Sequence, residues 1–433
     1  MGSAVPEEIQ QPVLRLLMFA PDGYPTFRAD VAALFGRYLP RHGILSDLIS
    51  PTTLGNASDI PPWGGGQTFL CSTAPGRART QLTVLRFAIS HLLKFKKKRY
   101  DALQVRDAVL PALVGVWVAR REGVPFFYWM SYPIYESRIE RVKSRGLSMG
   151  LLRFAGDAIR GYFGKWLLYR YVLPASKHVF VQSQTMLEDV VKEGIPADRM
   201  TAVPMGADLE EMDVSHIEPI REARLDGRVV LTYLGTLAQV RKMDFLFEVL
   251  AKVRQRVPNV VLVLAGDGNE PSDREWLEHR AEEIGVASSV IWTGWLPKHE
   301  GWRFVRASTI ALSPIAPSYE LNRGSPTKAV EYLALSVPVV CNDQPDQERV
   351  IQESGAGICV PYTVDAFYDA ILYLLDNPSE AARMAARGPG YVSARRSYEI
   401  IAREVVRTYD KVMRPTLRHH KQPVEPLVSE ARF

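Results

Sequence analysis

Short apolar runs alternate with amphipathic segments along the whole chain. Each run suits a buried strand, and each following segment repeats apolar residues at the helical period. This alternation predicts parallel strands with helices on both faces of the sheet, as in doubly wound α/β domains. In the first half, the predicted strands are residues 13–20, 101–107, 125–131 and 178–184, and the first predicted helix covers residues 28–43.

A second series of apolar runs begins near residue 228, after an acidic, irregular stretch. We interpret that stretch, residues 208–227, as a linker between two domains. We therefore expect an N-terminal domain over residues 1–207, a second domain over residues 228–395, and a closing helix with a mobile tail over residues 396–433. The predicted strands of the second domain lie within RVVLTYLGT, NVVLVLAGDG, SVIWTGW, STIALSPI, VPVVCND and AGICVP.

Length and composition fit this division. The chain has 433 residues, which is long for a single core. The three cysteines are scattered without a paired motif, so neither a disulfide framework nor a structural zinc is expected. The start lacks the basic and apolar parts of a secretory signal, and the longest apolar run is too short for a bilayer. We expect a protein that stays in the cytoplasm.

Positive charge is concentrated in the first domain, although the formal net charge is only +5. A predicted helix beyond residue 150 has one apolar, aromatic face. It is either a core helix with a solvated basic face or a surface helix on anionic lipid, where each basic residue adds about 1 kcal/mol. No nucleic-acid-binding motif accompanies the charge, so no such partner is expected. The candidate membrane-contact residues are Lys94, Lys96, Lys97, Lys98, Arg99, Arg153 and Arg160.

Two glycine-containing loops follow predicted strands of the second domain. Gly235 and Thr236 end one strand, and Arg241 and Lys242 then open a predicted helix. Free N–H groups and two cations at a helix start favour an anion, although a plain solvated helix start is the alternative. The second loop contains Gly266, Asp267 and Gly268, which would let a ligand approach the backbone or simply make a tight turn.

The stretch NRGSPTKAVEYLALSVPVV enters a helix near Pro326. Ser325 is a favourable N-cap residue and proline is favourable at the first helical position, so the N–H groups of Thr327 and Lys328 should receive phosphate oxygens. Glu331 lies one turn further, where it can accept two hydrogen bonds from a ribose diol. The three loops together suit a nucleoside diphosphate. No G-x-G-x-x-G motif opens the first domain, which argues against a nicotinamide or flavin enzyme.

The order of these motifs resembles the retaining glycosyltransferases of family GT4, which have the GT-B fold. In the second half the likeness rests on GTL with RKMDFL, LVLAGDG, VIWTGW, SPTKAVEYLALSVPVV and GAGICVP; in the first half it rests on PDGYPTF, VFVQSQTMLEDVV and AVPMGADL. The pattern SPxKxxEY is similar to one subgroup. The resemblance implies two Rossmann-like domains facing across a cleft, with the closing helix crossing back. It also implies transfer of a sugar from a nucleotide donor with retention, without a metal or cofactor.

The resemblance also implies roles for single residues. Arg241 matches the family's diphosphate-binding lysine, Lys242 stands where a glycine is usual, and Glu331 matches the ribose-binding acid. Arg323 occupies the place of the family's other acid. We hypothesise that Arg323 or Lys328 faces the donor sugar, where an arginine would suit a carboxylate such as that of glucuronic acid; otherwise Arg323 points to solvent. The predicted donor-binding set is Gly235, Thr236, Gly266, Asp267, Gly268, Arg323, Gly324, Ser325, Pro326, Thr327, Lys328 and Glu331.

The first domain departs from the family pattern as well. Ser131 and Tyr132 stand where a histidine is expected, on the acceptor or sugar side. Asp22 and Gly23 follow the first strand, where donor phosphate and acceptor should meet, although a simple turn is the alternative. The predicted catalytic function is to stabilise the departing diphosphate, and no general base is nominated. The predicted catalytic residues are Arg241, Lys242, Asp22 and Gly23.

The basic, aromatic helices of the first domain suggest an acceptor in a membrane. A polyprenyl-diphosphate-linked saccharide in the inner leaflet, as in exopolysaccharide or envelope glycan synthesis, would explain both the charge and the apolar face. Likeness to the subgroup favours a UDP-sugar donor. The open alternatives are a GDP-mannose-type donor, a soluble acceptor, a non-catalytic nucleotide-sugar-binding subunit and a nucleotide-sugar epimerase of the same fold.

Overall fold

The first half of the chain folds around one parallel sheet. The computed structural model describes residues 14–26, 28–54, 59–73 and 77–418, with the backbone alone at 77–79 and 414–418. The strands of the first sheet are β1 (Leu14–Phe19), β2 (Ile44–Thr52), β3 (Thr68–Ser72), β4 (Ala102–Arg106), β5 (Phe126–Met130), β6 (His178–Val181) and β7 (Met200–Ala202). Their order across the sheet is β3-β2-β1-β4-β5-β6-β7, and every neighbouring pair is parallel.

Helices follow the strands of this first sheet. A wide, π-type helical segment, Asp30–Tyr38, follows β1 and continues into α1 (Leu39–Arg41). A second such segment, Leu168–Val172, joins two later helices into one long rod. The other helices of this half are α2 (Arg77–Leu93), α3 (Val109–Glu122), α4 (Ile134–Arg145), α5 (Leu151–Leu167), α6 (Leu173–Ala175) and α7 (Gln184–Lys192).

The second half forms a separate parallel sheet of six strands. Its strands are β8 (Val229–Leu234), β9 (Val260–Ala265), β10 (Val290–Trp292), β11 (Ile310–Ser313), β12 (Val339–Asn342) and β13 (Gly357–Val360), in the order β10-β9-β8-β11-β12-β13. Its helices are α8 (Phe245–Arg256), α9 (Pro271–Glu283), α10 (Lys298–Arg306), α11 (Thr327–Ala334), α12 (Pro345–Ser354), α13 (Val364–Asp376) and α14 (Pro378–Tyr391). Two parallel sheets with flanking helices confirm the predicted GT-B architecture.

The closing helix, α15 (Tyr398–Arg418), returns to the first domain. Its apolar residues Tyr398, Val405 and Tyr409 are buried in the same hydrophobic cluster as Phe127 and Phe180 of the first sheet. The Tyr409 hydroxyl donates to the Gln104 side chain on β4. The last described helix therefore supplies part of the core of the first domain. The predicted mobile tail lies mostly in residues 419–433, outside the described part.

Sequence patterns located four strands of the first sheet and missed β2, β3 and β7. The strand β2 was hidden because polar residues interrupt its apolar pattern: Ser46 and Ser50 are buried, and Asp47 accepts hydrogen bonds from Arg99 (2.9 Å) and Tyr100 (2.8 Å). The strands β3 and β7 lie at the two edges of the sheet, and β7 has only three residues. Edge strands need only one partner and carry a weak hydrophobic pattern.

The helices α4 and α5 form a hairpin, here called the α4–α5 hairpin, that packs chiefly on itself rather than on the sheet. The close contact is made by glycines of α5: a Cβ at Gly164 would lie 2.2 Å from the Tyr135 ring. Tyr135 lies in the first turn of α4, at the carboxyl edge of the sheet. Most of α5 therefore precedes this contact and projects beyond that edge.

The apolar face of α5 points outward, so the core-helix interpretation is wrong. The inward face carries Gly161, Gly164 and the buried Asp157, whereas Leu152 is 90% exposed. The outward residues are Leu151, Leu152, Ala155, Ile159, Tyr162, Phe163 and Trp166. Within the described residues, none of the helices has the length and apolarity required to span a bilayer.

His178 gives the first domain a defined pH dependence. Burial lowers the pKa of its imidazole to about 4, and its Nε2 lies 2.8 Å from the Thr201 hydroxyl. As the pH falls, His178 therefore takes up a proton in the unfolded chain before it does so in the folded chain. Its contribution to the free energy of unfolding is complete above about pH 6.5 and is lost as the pH falls towards 4. Between pH 7 and pH 5, wild type should lose about 2 kcal/mol more unfolding free energy than His178→Gln, measured by urea denaturation.

His279→Gln is the control, because it removes an exposed imidazole from α9. This variant should keep the wild-type pH profile. Parallel profiles for wild type and His178→Gln would contradict the assignment.

Candidate functional site

Two of the predicted loops are in backbone contact at the carboxyl edge of the second sheet. The Gly235 N–H donates to the Ala265 carbonyl (2.9 Å), and the Leu237 N–H donates to the Asp267 carbonyl (2.8 Å). A Cβ at Gly266 would lie 2.2 Å from the Gly235 carbonyl oxygen, so a side chain there would force the loops apart. In these same loops, the Thr236 carbonyl accepts from Tyr233 (3.3 Å) and the Gly268 N–H donates to Asp267 (2.8 Å).

The third loop joins them through Lys328. A Cβ at Gly235 would lie 2.6 Å from the Lys328 Cε, and the Lys328 ammonium lies 5.2 Å from the centroid of the Tyr233 ring. The Tyr332 hydroxyl accepts a hydrogen bond from the Leu234 N–H at 2.8 Å. This bond holds α11 against the end of β8. The glycine loops and the lysine thus belong to one site.

The start of α11 lies one residue later than predicted, so proline is not the first helical residue. Pro326 is the N-cap residue and Thr327 the first helical residue. The prediction that Ser325 caps the helix is wrong, because its hydroxyl donates to Asp346 (2.6 Å) and accepts from the Met205 N–H (2.8 Å). The first-turn N–H groups still have no intrahelical acceptor, as at any helix start, so an anion can bind there.

The prediction that Arg241 and Lys242 open a helix is wrong. They end a short turn, Gln239–Arg241, and α8 starts only at Phe245. Lys242 has a φ of +52°, a left-handed conformation that costs a residue with a side chain about 1 kcal/mol. This backbone geometry explains why a glycine suits the position. In the described part of the chain, neither side chain is paired with an acid, so both cations are available to an anion.

Glu331 lines a small cavity of about 50 Å³ between the two domains. Lys298 and Trp302 of α10 share the cavity, and neither was expected from the sequence. Burial raises the pKa of the Glu331 carboxyl, and the charges of Lys298 and Lys328 lower it. The two lysines thus favour the ionised form, which can accept hydrogen bonds from a diol. The sequence could have indicated these two residues, because α10 directly follows β10 and therefore begins at the carboxyl edge.

Arg323 fastens the third loop to the first domain. Its guanidinium donates to Asp189 of α7 and to the Tyr319 carbonyl (2.8 Å), and it lies 3.6 Å from the centroid of the Tyr319 ring. The Ser183 hydroxyl donates to the Arg323 carbonyl at 2.6 Å. The alternative that Arg323 points to solvent is therefore wrong. Gly324 is held in the same loop, because its carbonyl accepts from Gln344 at 2.9 Å.

A buried arginine, Arg106, organises the facing wall of the first domain. It was not predicted, although an arginine inside the apolar run of β4 is an unusual signal. It donates to Asp22 and to Asp30 (2.8 Å to the latter), and Asp22 also lies 3.4 Å from Arg28. Burial raises the pKa of Asp30 to about 6, and the charge of Arg28 opposes that shift. Among the described residues, no group of three or more His, Cys, Asp and Glu could hold a metal ion.

The other first-domain candidates divide into a structural and an exposed group. The Ser131 N–H (2.8 Å) and hydroxyl both donate to the Asp107 carboxylate, so Ser131 is buried in the wall. Gly23 has a φ of +84° and makes the turn beside Asp22. Tyr132 is 36% exposed. The pKa of its hydroxyl is raised mainly by burial and to a smaller extent by the charge of Glu320 of the second domain. Tyr132 therefore lies where the two domains meet.

All of the predicted membrane-contact residues are exposed, but two of them are paired with acids. The Arg99 guanidinium binds Asp47 (2.9 Å) and lies 5.9 Å from the centroid of the Phe69 ring, which gives it a structural role as well. Arg160 lies 3.5 Å from Asp157 on the hairpin. The other exposed residues of this set are Lys94, Lys96, Lys97, Lys98 and Arg153.

Two family models match the two halves of the chain. A "Glycosyl transferase 4-like domain" matches residues 29–206, and "Glycosyl transferases group 1" matches residues 228–377. Together with the two facing sheets, these matches place the chain among the glycosyltransferases with the GT-B fold.

The curated relatives are distant in sequence, and each match covers only part of both chains. The α-D-kanosaminyltransferase of Streptomyces kanamyceticus is 25% identical over 57% of this chain and 64% of its own length. A GDP-mannose-dependent α-(1-6)-phosphatidylinositol monomannoside mannosyltransferase of Mycolicibacterium smegmatis is 28% identical over 45% and 51%. The α-monoglucosyldiacylglycerol synthase of Streptococcus pneumoniae is 23% identical over 60% and 56%. The chain thus spans about half to two thirds of the length of these relatives.

Solved structures resemble almost the whole chain in fold. The sucrose-phosphate synthase of Thermosynechococcus elongatus has a TM-score of 0.70 with 16% identity, over 93% of this chain and all of that one. The Anabaena protein HepE, in complex with UDP and glucose, has a TM-score of 0.64 with 14% identity, over 92% and 100%. At these identities the likeness concerns the fold alone.

Lys242→Gly should separate backbone strain from charge. Glycine accepts the left-handed conformation, so the free energy of unfolding should rise by about 1 kcal/mol. Loss of the ammonium should weaken UDP binding roughly tenfold, because one charge-assisted contact to the diphosphate is removed. Denaturant unfolding and isothermal titration calorimetry measure the two effects. Ser336→Gly is the control, since Ser336 also has a positive φ (+57°) and should leave UDP affinity unchanged; unchanged affinity in Lys242→Gly would contradict its role.

A double-mutant cycle should decide what Arg323 does. If it only fastens the loop, Arg323→Ala and Asp189→Asn should each lower stability by about 1 kcal/mol and lower kcat alike, and the double variant should be no worse. Glu188→Gln, a neighbouring exposed change on α7, is the control. A change in the donor KM or in donor choice confined to Arg323→Ala would instead show contact with the donor sugar.

Proposed function

We propose that this protein is a retaining glycosyltransferase that moves a sugar from a nucleoside-diphosphate donor to an acceptor held by the first domain. The observation that carries the proposal is the convergence of three loops on one anion site. Gly235 and Gly266 bring backbone close to backbone, and Lys328 and the start of α11 complete the site. The ribose-binding function is assigned to Glu331, one turn further along the helix.

The chemistry of this site is electrostatic. When the bond between the sugar and the diphosphate breaks, negative charge grows on the leaving oxygen. Arg241, Lys242, Lys328 and the positive end of α11 stabilise that charge. The acceptor attacks from the same face, and the leaving diphosphate takes its proton. These cations supply what a divalent ion would otherwise supply, so we propose a reaction without a metal cofactor, in which EDTA leaves transfer unchanged.

The favoured donor is a UDP-sugar. The resemblance to the SPxKxxEY subgroup supports this choice, whereas the name of one curated relative supports GDP-mannose as the alternative. A glucuronic acid donor would require Arg323 to leave Asp189 and turn towards the sugar. The double-mutant cycle above tests that step.

The favoured acceptor is a lipid-linked saccharide, such as one on a polyprenyl diphosphate, at the inner face of a membrane. Two relatives named above act on lipids according to their names. The exposed apolar face of α5 lies on the α4–α5 hairpin, beside the carboxyl edge where the acceptor would enter. Exposed lysines at residues 94–98 add attraction to anionic lipid. A function in exopolysaccharide or envelope glycan synthesis follows, with the protein peripheral on the cytoplasmic side.

Binding of the product nucleotide tests the central proposal. UDP should raise the melting temperature more than GDP or ADP, because a ligand bound only to the folded state stabilises it. Glu331→Gln should weaken UDP binding roughly tenfold through loss of the charged acceptor for the ribose hydroxyls. Glu275→Gln, an exposed change on α9, is the control. No shift with any nucleotide would contradict the proposal, and binding without hydrolysis or transfer of any donor would favour the non-catalytic subunit.

A further inference from the structure

A groove outside the cleft lies between α3 and the helical rod that leads into β6. Its volume is about 420 Å³, and its walls include Val116, Trp117, Tyr171 and Pro174. Trp117 is 54% exposed and Tyr171 46% exposed. Large aromatic side chains open to solvent beside an apolar wall are a feature of binding surfaces.

The charges at this groove are positive and uncompensated. Arg120 and Arg170 line it, both are exposed, and neither has an acidic partner among the described residues. The neighbouring Arg121 shows the contrast, because it is paired with Glu122 at 2.9 Å and lies 5.0 Å from the centroid of the Trp117 ring. Two free guanidinium groups over apolar walls match a ligand with an anionic head and an apolar body.

The groove is continuous with the outward face of α5. The ring centroids of Trp166 and Tyr171 lie 5.0 Å apart, edge to face. Phe163 stacks on Trp166 at 5.6 Å, and Ile159 lies one turn further towards the tip of the hairpin. On the other side, Arg121 reaches the carbonyl of Leu93, the residue just before the exposed lysines (3.5 Å). An apolar stripe therefore runs from the hairpin into the groove, with basic residues beside it.

The groove is separate from the proposed reaction site. The helix α3 begins at Val109, near the carboxyl edge of the first sheet, where the Val109 N–H donates to the Tyr135 hydroxyl (3.2 Å). At 1.5 Å per residue, Arg120 lies about 16 Å further along the helix, towards the opposite edge. A ligand in the groove is therefore not the acceptor in the cleft.

We propose that the groove binds the phosphate headgroup of an anionic phospholipid of the bilayer. Arg120 and Arg170 contact the phosphate, and Trp117 and Tyr171 lie at the depth of the lipid interface. This inference rests on the proposed membrane acceptor and adds a second lipid site, which sets the orientation of the α4–α5 hairpin on the membrane.

The test is co-sedimentation of the full chain with vesicles at 0.1 M salt. One set contains phosphatidylcholine with about a third phosphatidylglycerol, and the other contains phosphatidylcholine alone. Arg120→Gln/Arg170→Gln should bind the anionic vesicles roughly thirtyfold more weakly than wild type, about fivefold for each arginine. Arg256→Gln/Arg349→Gln, with the same charge change on exposed residues of the second domain, is the matched control and should lose much less. UDP binding, unchanged in both variants, shows that they are folded.

The outcomes separate this inference from the proposed function. Equal binding of wild type and Arg120→Gln/Arg170→Gln to anionic vesicles would overturn the groove site and leave the glycosyltransferase proposal intact. Failure of wild type to bind any vesicle would overturn the groove site and the membrane acceptor together. If glycerol 3-phosphate without lipid raised the melting temperature of wild type but not of the arginine variant, while vesicle binding stayed equal, the ligand would be a soluble phosphate and the lipid assignment would be wrong.

Discussion

The buried ion pair between Arg396 and Asp346 lies where both domains, the linker and the start of α11 meet. The guanidinium donates to the two carboxylate oxygens at 2.8 and 3.3 Å, and Asp346 also accepts from Ser325 at the base of α11. Ser325 in turn accepts from Met205 at the end of the first domain. Both side chains are about 5% exposed, so removal of either would leave an unpaired buried charge, at a cost of about 3–5 kcal/mol.

The consequence of this junction is positional. The chain passes between the domains twice, and the two passages are joined by hydrogen bonds between Ala207 and residues 396 and 398 (2.8 and 3.1 Å). The hydrogen bonds around Arg396 and Asp346 therefore fix both the hinge between the domains and the position of the first turn of α11. The two facing walls differ in how their charges are paired. Acids of the first-domain wall, such as Asp22, form ion pairs with arginines. In the described structure, Arg241 and Lys242 of the second domain have no acidic partner. Among the described residues, these two cations of the second wall thus remain unpaired, which suits the proposed stabilisation of a leaving diphosphate.

Local sequence patterns predicted the features that depend on local chemistry. Gly235, Gly266 and the start of α11 were located from strand ends, glycines and helix-start residues, and the structure brings them together. Features that depend on tertiary contacts could not be found this way. The periodicity of α5 identified an apolar face but not its direction, since that depends on Gly164 packing against Tyr135. Arg323 and Asp189 are far apart in sequence, and Arg106 meets its acids only when β1 and β4 become neighbours.

The return of α15 makes the first domain discontinuous in sequence. Its hydrophobic core includes Tyr398, Val405 and Tyr409, which are made last. During synthesis, the surface around Phe127 and Phe180 remains uncovered until the second domain has left the ribosome. A fragment that ends at the linker would keep all seven strands of its sheet and still lack one layer of its core. The boundary between the two halves is thus a boundary in the sequence pattern, whereas the hydrophobic core of the first domain includes residues from beyond it.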